Sequence, residues 1–305
     1  MAGDRLTTLL AIAGVMVLGS AAAPAFSATT HNGHHRRHLA TPLSAEDPGL
    51  KSAAAYVIDQ GDSSVWYAHN ANVASPIASI TKLMTALVVA DAQQPLDEVL
   101  EVSPEDRAIG KGAFSRLAVG TKLTRGDLLH LALMSSENRA AHALGRNYPG
   151  GVPAFVKAMN AKAQSLGMTS SHFVEPTGLS CDNVASPQDL SRLVMAAAQN
   201  PTIRDFSTDT EHSVLIGRRM VEFRTTDALV RNPGWNIIVQ KTGYITEAGR
   251  CLVMQAVIGG RNVVIVLLNS FGKYTRVADA VRMRKWIEAR MNEHAAVHVV
   301  ASTIS

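Results

Sequence analysis

The sequence Ser79-Ile80-Thr81-Lys82 opens an apolar run that extends to residue 92. Apolar residues recur in that run at spacings of three and four, which predicts an amphipathic helix over residues 81–92. Residues three apart share one helix face, so the Ser79 hydroxyl and the Lys82 amine are expected to be neighbours. A neutral lysine can remove the proton from a serine hydroxyl and so activate it as a nucleophile. The pattern by itself is common, and a solvated first helical turn also explains it.

Two further motifs follow downstream. Ser136-Glu137-Asn138 falls at a break between two predicted helices, and Lys241-Thr242-Gly243 ends a predicted apolar strand. Each motif has an ordinary explanation when taken alone, as a helix cap or as a surface lysine before a turn. The order S-x-x-K, S-x-N, K-T-G, however, is typical of penicillin-binding proteins and class A β-lactamases. Together the three motifs predict a serine acyl-transfer site.

The first two motifs supply the residue types that acyl transfer requires. Ser79 is the predicted nucleophile, and Lys82 is the predicted general base, which must be neutral to accept a proton. Burial and a second cation, for which Lys241 is the candidate, would both lower the pKa of Lys82. Ser136 is predicted to carry the proton to the leaving amine. Asn138 is predicted to hold Lys82 and the substrate backbone, because its amide both donates and accepts hydrogen bonds.

The third motif supplies the predicted substrate-binding residues. Lys241 and Thr242 are expected to bind the terminal carboxylate of a peptide. Gly243 lets the substrate lie against the strand edge, where a side chain would obstruct it. The predicted oxyanion hole consists of the backbone N–H groups of Ser79 and Tyr244. No metal or other cofactor is predicted.

The order of predicted elements indicates an α+β fold. Predicted strands cluster near both ends of the chain and predicted helices lie between them, with a closing helix over residues 275–290. The economical arrangement is one antiparallel sheet, built from N- and C-terminal segments and flanked by helices, with an inserted helical lobe. The predicted strands cover residues 53–58, 64–68, 211–224, 236–241, 251–258 and 262–269.

The N-terminus has the pattern of an export signal. Arg5 precedes an apolar run over residues 6–18, and Ala25-Phe26-Ser27 is a small-x-small cleavage site. We therefore predict a signal peptide over residues 1–27, with no transmembrane anchor after its cleavage. An uncleaved anchor is the alternative, but the run is shorter than the ~20 apolar residues that span a bilayer.

The remaining boundaries follow from composition. Residues 28–50 are rich in histidine and arginine and predict a flexible linker, although such tracts also bind metals in some proteins. We predict a catalytic domain over residues 51–291 and a tail over residues 292–305. The chain has 305 residues and a net charge of +4, an excess that is not clustered with aromatics and so does not indicate nucleic-acid binding. For Cys181 and Cys251, both a disulfide and free thiols stay open, with a buried free thiol expected at Cys251.

In these three motifs and the residues around them, the chain resembles a known family, the low-molecular-mass penicillin-binding proteins, which are serine D-alanyl-D-alanine peptidases. The resemblance covers residues 50–290. One further stretch, FGKYT at 271–275, resembles the sequence of one branch of the family, the periplasmic D-alanyl-D-alanine endopeptidases of Gram-negative bacteria. The stretches that carry the family resemblance are SPIASITKLMTA at 75–86, LALMSSENRAA at 131–141, FVEPTGLS at 173–180 and QKTGY at 240–244.

The resemblance implies a penicilloyl-transferase fold of the β-lactamase and DD-peptidase type. It implies cleavage of D-alanyl–diaminopimelyl cross-links in peptidoglycan during cell-wall remodelling, inhibition by β-lactams, and a periplasmic location. Whether carboxypeptidase activity accompanies endopeptidase activity stays open. We expect neither the β-rich second domain nor the amphipathic C-terminal anchor of the usual carboxypeptidases, and therefore predict a soluble or loosely attached enzyme.

Two other functions compete with this interpretation. A class A β-lactamase would use Glu175 to activate a deacylating water, and residues 175–179 (EPTGL) lie in a comparable place. In those enzymes Asn follows the Leu, whereas Ser180 follows here, so we interpret Glu175 as loop structure. A non-catalytic murein-binding module is the second alternative, but it would need no intact Ser–Lys pair.

Overall fold

The computed structural model of the chain describes residues 47–107 and 115–303, with side chains described up to residue 292. The predicted signal peptide and most of the predicted linker, including its histidines, lie outside the described residues. The chain divides into two units, Met1–Pro42 and Leu43–Ser305, and every described residue belongs to the second.

The described part of the chain contains eleven strands and seven α-helices. The strands are β1 Ser52–Asp59, β2 Val65–His69, β3 Ser75–Pro76, β4 Val99–Glu101, β5 Lys122–Thr124, β6 Val184–Ala185, β7 Glu211–Ile216, β8 Arg219–Arg224, β9 Asn236–Ile245, β10 Gly249–Ile258 and β11 Arg261–Ser270. The helices are α1 Thr81–Asp91, α2 Arg125–Met134, α3 Asn138–Arg146, α4 Gly151–Ser165, α5 Pro187–Ala197, α6 Pro201–Thr208 and α7 Thr275–Thr303.

A five-stranded antiparallel sheet in the order β2-β1-β11-β10-β9 joins the two ends of the sequence. Strand β1 pairs with β11 from Ser52↔Ser270 to Asp59↔Val263, so N- and C-terminal segments lie side by side. Helices α1 to α6 lie between β2 and β9 in the sequence and form the inserted helical lobe. The predicted α+β fold is therefore confirmed.

Both faces of the sheet are covered by helices. On one face, Val57 and Ile265 pack in a cluster with Trp286 and Ile287 of α7. On the other face, Tyr56 belongs to the larger cluster that extends through the helical lobe. Because each face buries side chains, β11 reads as an almost continuous apolar run. Each buried Val, Leu or Ile contributes roughly 1.5–3 kcal/mol to stability.

Several elements differ from the sequence-based expectations, including the short strands β3, β4, β5 and β6, which no sequence pattern predicted. Residues 211–224 form a separate two-stranded hairpin, β7–β8, instead of joining the main sheet. Its strands expose Leu215 and Met220 and bury little, so they lack the covered faces of the central strands. Helix α6 was not predicted, although Asn200 caps it and proline begins it. Helix α7 continues to Thr303, so most of the predicted tail is helical.

The structure bears on two features that the sequence left open, a membrane anchor and the pairing of the two cysteines. Within the described residues, no helix is both long and apolar enough to cross a membrane. Cys181 is exposed and Cys251 is buried, and both are free thiols. Burial raises the pKa of Cys251 to about 11, so this thiol is protonated at neutral pH.

Candidate active site

Ser79 lies in a tight turn that leads into helix α1. Residues Ala78–Ile80 form a single 3-10 turn, and Ala78 has a φ of 49°, in the left-handed region. A non-glycine residue there costs on the order of 1–3 kcal/mol, which the surrounding contacts must offset. The Thr81 hydroxyl donates to the Ala78 carbonyl at 2.8 Å and fixes the turn. The turn leaves Ser79 half-buried at the wall of a cleft.

Lys82 is fully buried one helical turn further on. Its Nζ donates to Ser79 Oγ at 2.8 Å, to Asn138 Oδ1 at 2.7 Å and to the Thr177 carbonyl at 2.6 Å. These three acceptors come from three different parts of the chain and account for every proton of the ammonium group. The sequence analysis predicts that Ser79, Lys82 and Asn138 lie together, and these hydrogen bonds join them. It does not predict the contact with the Thr177 carbonyl.

Burial lowers the pKa of Lys82 to about 8. The carboxylates of Glu175 and Glu137 act in the opposite direction. The predicted contribution of burial is confirmed, but Lys241, which was expected to be a second cause, does not lower the pKa of Lys82. The pKa of Lys241 is itself lowered well below its usual value, first by burial and then by the charge of Lys82.

The hydrogen bonds of Lys82 suit a neutral amine as well as an ammonium. A neutral amine keeps two N–H donors and gains one lone pair. If the two donors stay on Asn138 Oδ1 and the Thr177 carbonyl, the lone pair faces Ser79 Oγ. The serine O–H then becomes the donor in the Ser79–Lys82 hydrogen bond. The site can therefore direct the serine proton toward the amine without moving a side chain.

The second motif forms the link between α2 and α3. Ser136 has a φ of 61° and lines the same cleft as Ser79. Asn138 begins α3 and is buried, with its amide oxygen held by Lys82. Between them, Glu137 accepts hydrogen bonds from the Ser115 hydroxyl at 2.7 Å and the Arg116 backbone N–H at 2.9 Å. Glu137 thus anchors the link to residues just before β5.

The third motif lies on β9, and its residues occupy different depths. Lys241 is fully buried, and its Nζ donates to the Thr242 carbonyl at 3.0 Å. Thr242 lines the cleft, where its hydroxyl lies 2.6 Å from that of Thr226. Arg276 of α7 also lines the cleft and donates to the Gly243 carbonyl at 3.1 Å. The sequence prediction missed Thr226 and Arg276, although Arg276 directly follows the FGKYT stretch.

Gly243 allows strand β9 to approach the turn that carries Ser79. A Cβ atom at this position would lie 2.9 Å from the Ile77 carbonyl oxygen and 3.1 Å from the Ser79 backbone nitrogen. Both neighbours are backbone atoms, which cannot move aside as a flexible side chain can. Gly178 also approaches this turn closely, since its Cβ would lie 1.9 Å from the Ala78 carbonyl oxygen. The two glycines therefore fix the position of Ser79.

We expect Gly243→Ala to lower the rate of acylation by a fluorescent penicillin about 10²-fold, because a shift of about 1 Å at the reacting groups has that effect. We also expect lower thermal stability, by roughly 1–3 kcal/mol for the overpacking. Stopped-flow fluorescence and thermal melting measure the two effects. The matched control is Gly234→Ala, whose Cβ would meet only the Asn232 side-chain oxygen, at 3.2 Å. Equal acylation rates for the two variants would contradict this account of Gly243.

The Glu175 carboxylate stabilises its own loop through hydrogen bonds. Its carboxylate accepts hydrogen bonds from the Thr177 and Gly178 backbone N–H groups, both at 2.6 Å, and from Asn183 Nδ2 at 2.9 Å. It lines a neighbouring pocket and not the cleft that holds Ser79. Its oxygens are thus occupied in holding the loop that presents the Thr177 carbonyl to Lys82.

The cleft between the sheet and the helical lobe has a volume of about 230 Å³. Among residues 47–107 and 115–292, no group of His, Cys, Asp and Glu side chains is arranged to hold a metal ion. The groups available for chemistry are a half-buried serine, a buried lysine and several hydrogen-bonding side chains. The residues that line the cleft include Ser79, Ser136, Asn138, Thr226, Thr242 and Arg276.

A serine in hydrogen-bond contact with a buried lysine of lowered pKa, on an α+β scaffold of this topology, defines a serine hydrolase of the acyl-enzyme type. Comparison with protein families agrees with this class. The peptidase S11 family model, described as D-alanyl-D-alanine carboxypeptidase, matches residues 41–272. The chain belongs to this family.

Two bacterial relatives and one solved structure are similar to this chain over most of its length. The D-alanyl-D-alanine endopeptidase of Pseudomonas aeruginosa is 49% identical over 261 residues, which cover 82% of this chain and 84% of that protein. The protein of the same name from Escherichia coli is 47% identical over 251 residues, covering 82% and 81%. Among solved structures, the Streptomyces K15 DD-transpeptidase aligns with a TM-score of 0.73 at 28% identity, covering 79% of this chain and 98% of that one.

Proposed function

We propose that this protein is a serine D-alanyl-D-alanine endopeptidase that cleaves peptide cross-links of peptidoglycan through an acyl-enzyme on Ser79. The observation that carries the proposal is the 2.8 Å contact between Ser79 Oγ and the buried Nζ of Lys82. The endopeptidase names of the two bacterial relatives at 49% and 47% identity support the choice of substrate.

In the proposed acylation step, neutral Lys82 takes the proton of Ser79 as Oγ attacks the carbonyl carbon of D-alanine. The developing oxyanion is bound by the backbone N–H groups of Ser79 and Tyr244. The C–N bond then breaks, and the amine leaves with the proton that Lys82 received, relayed through the Ser136 hydroxyl. The products are an ester on Ser79 and a free amine, so protons and charge balance.

Hydrolysis of the ester repeats the same proton transfers with water in place of the amine. Lys82 takes a proton from water as the water oxygen attacks the ester carbonyl, and Ser79 regains its proton as the C–O bond breaks. Asn138 keeps the lysine oriented throughout by its 2.7 Å hydrogen bond.

Binding of the substrate carboxylate is assigned to Thr242 and Arg276, which both line the cleft. Lys241 lies behind them, fully buried, and contributes positive charge whenever it is protonated. Burial lowers the pKa of Arg276, and the buried carboxylate of Asp227 opposes that effect. A β-lactam carries a carboxylate and an amide carbonyl in a similar relation, so we propose that it acylates Ser79 as an inhibitor.

The working location that fits a cell-wall substrate is outside the cytoplasmic membrane. We propose export through the N-terminal signal and a periplasmic enzyme, soluble or loosely attached. The histidine- and arginine-rich linker and Cys181 receive no role in the reaction.

We expect the purified mature protein to cleave a cross-linked muropeptide dimer faster than it removes D-alanine from a monomeric pentapeptide. Liquid chromatography with mass spectrometry follows both reactions, and incubation with benzylpenicillin gives the third measurement. A covalent adduct of long lifetime is the expected result with penicillin. Rapid hydrolysis of penicillin with no lasting adduct would instead favour a β-lactamase, and dimers left uncut would contradict the endopeptidase proposal.

A further inference from the structure

A patch of exposed aromatic and basic side chains lies beside the active cleft. We call it the ledge and define it as the exposed residues Phe271, Lys273 and Tyr274 together with the partly buried Arg250. Phe271 is 93% exposed and Tyr274 is 70% exposed, which is unusual for large apolar side chains on a soluble domain. Large exposed apolar side chains that lie within one short turn, as these two do, indicate an interaction site. Neither the fold nor the proposed chemistry on Ser79 accounts for these residues.

The ledge is continuous with the cleft. On the sheet, Arg250 pairs in register with Tyr244 of β9 and with Ser270 at the end of β11. Its guanidinium carbon lies 4.6 Å from the centre of the Tyr244 ring, and both residues line the cleft that holds Ser79. The turn 271–274 follows β11 at once. Arg276, just beyond that turn, donates back to the Gly243 carbonyl and ties it to the cleft.

The charges on the ledge are available to a ligand. Within the described residues, Arg250 and Lys273 form no ion pair, and each cation lies over an aromatic ring, Tyr244 and Tyr274 respectively. Arg250 is close enough to Arg276 to help lower the pKa of that residue, so positive charge accumulates along this side of the cleft. Glu247, in the turn between β9 and β10, is the acidic residue nearest to Arg250 in the sequence.

The chemistry of a cross-link indicates what this side of the cleft must accommodate. The amine that leaves is attached to a carbon that also bears a carboxylate and the rest of a second stem peptide. When Thr242 and Arg276 hold that carboxylate, the second stem must leave the cleft close to them. A carboxypeptidase releases a single amino acid at this position and needs no further surface. An endopeptidase gains affinity from any surface that binds the second stem.

We propose that the ledge binds the second stem peptide of a cross-linked substrate on the leaving-group side of the scissile bond. This inference rests on the proposed endopeptidase function and adds the residues that select cross-linked over monomeric substrates. Stem peptides carry free carboxylates, which complement the positive charges of Arg250 and Lys273. The exposed rings of Phe271 and Tyr274 supply apolar contact for the aliphatic parts of the stem.

The test compares two soluble substrates and one inhibitor on a variant with Phe271→Ala, Lys273→Glu and Tyr274→Ala. We expect kcat/KM for the cross-linked dimer to fall about tenfold, the scale at which a small set of interface contacts contributes. The rates of pentapeptide cleavage and penicillin acylation should stay within about twofold of wild type. The single variant Lys273→Glu should show part of this loss in kcat/KM for the dimer. Lys273→Arg, which keeps the positive charge, should show little of it. Lys157→Glu, an exposed site on α4, is the matched control.

Three results would contradict the inference about the ledge, and one of them would also contradict the proposed endopeptidase function. If wild type cuts dimers and the triple variant cuts them equally well, the ledge does not bind the second stem and this inference is wrong. If the variant loses activity only on intact sacculi and not on soluble dimers, the occupant is the glycan strand, which also overturns it. If wild type cuts pentapeptides but no dimers, the proposed endopeptidase function fails, and the inference fails with it.

Discussion

Ser79→Ala is expected to abolish both peptide cleavage and the covalent penicillin adduct. Alanine removes the only atom of residue 79 that can form the ester, while the turn Ala78–Ile80 and the fully buried Lys82 are retained. The loss in kcat should be at least about 10⁴-fold, the scale seen when an enzyme nucleophile is removed. Intact-protein mass spectrometry after incubation with penicillin gives the adduct, and dimer cleavage gives the rate.

A matched control separates loss of the nucleophile from loss of a serine elsewhere. Ser213 on the exposed side of β7 makes no contact with the cleft, so Ser213→Ala should retain wild-type activity. Thermal melting should show Ser79→Ala folded, because its hydroxyl is only half-buried. A penicillin adduct of normal stoichiometry on Ser79→Ala would place the nucleophile at another residue.

Lys82→Met is expected to lower the acylation rate by about 10²–10⁴-fold, the usual contribution of a general base. Methionine fills a similar volume but has no amine to receive the Ser79 proton. The Asn138 amide oxygen and the Thr177 carbonyl would also lose the donor that now lies 2.7 and 2.6 Å away. The measurement is the second-order rate of penicillin acylation, with Lys157→Met on the exposed face of α4 as the matched control.

The pH dependence of wild type tests the same role independently. Burial lowers the pKa of Lys82 to about 8, and only the neutral amine can accept a proton. Below that pH the ammonium predominates, so the acylation rate should rise as pH increases and level off above about pH 8. The Lys82→Met variant should lack this acidic limb. A wild-type rate that is flat between pH 5 and pH 9 would contradict the assignment of Lys82 as base.

Much of the architecture was readable from the sequence because it depends on local patterns. The central strands carry long apolar runs, and their antiparallel pairing follows from strands at both ends of the chain. Helix α5 also begins at a local sequence signal, since Ser186 caps it and Pro187 is its first helical residue. The hairpin β7–β8 was misplaced in the main sheet, since alternation alone does not reveal which strand will be a neighbour.

The sequence by itself determined which residue types could perform acyl transfer, since S-x-x-K, S-x-N and K-T-G are short patterns of side chains. Only the tertiary structure decided that the Thr177 carbonyl binds Lys82, because a backbone oxygen has no signature in residue type. It also placed Arg276 in the cleft and buried Lys241 behind it. These placements depend on how β9, α1 and α7 pack together. How deeply a residue is buried depends on contacts between segments that are distant in the sequence. No local sequence pattern records those contacts.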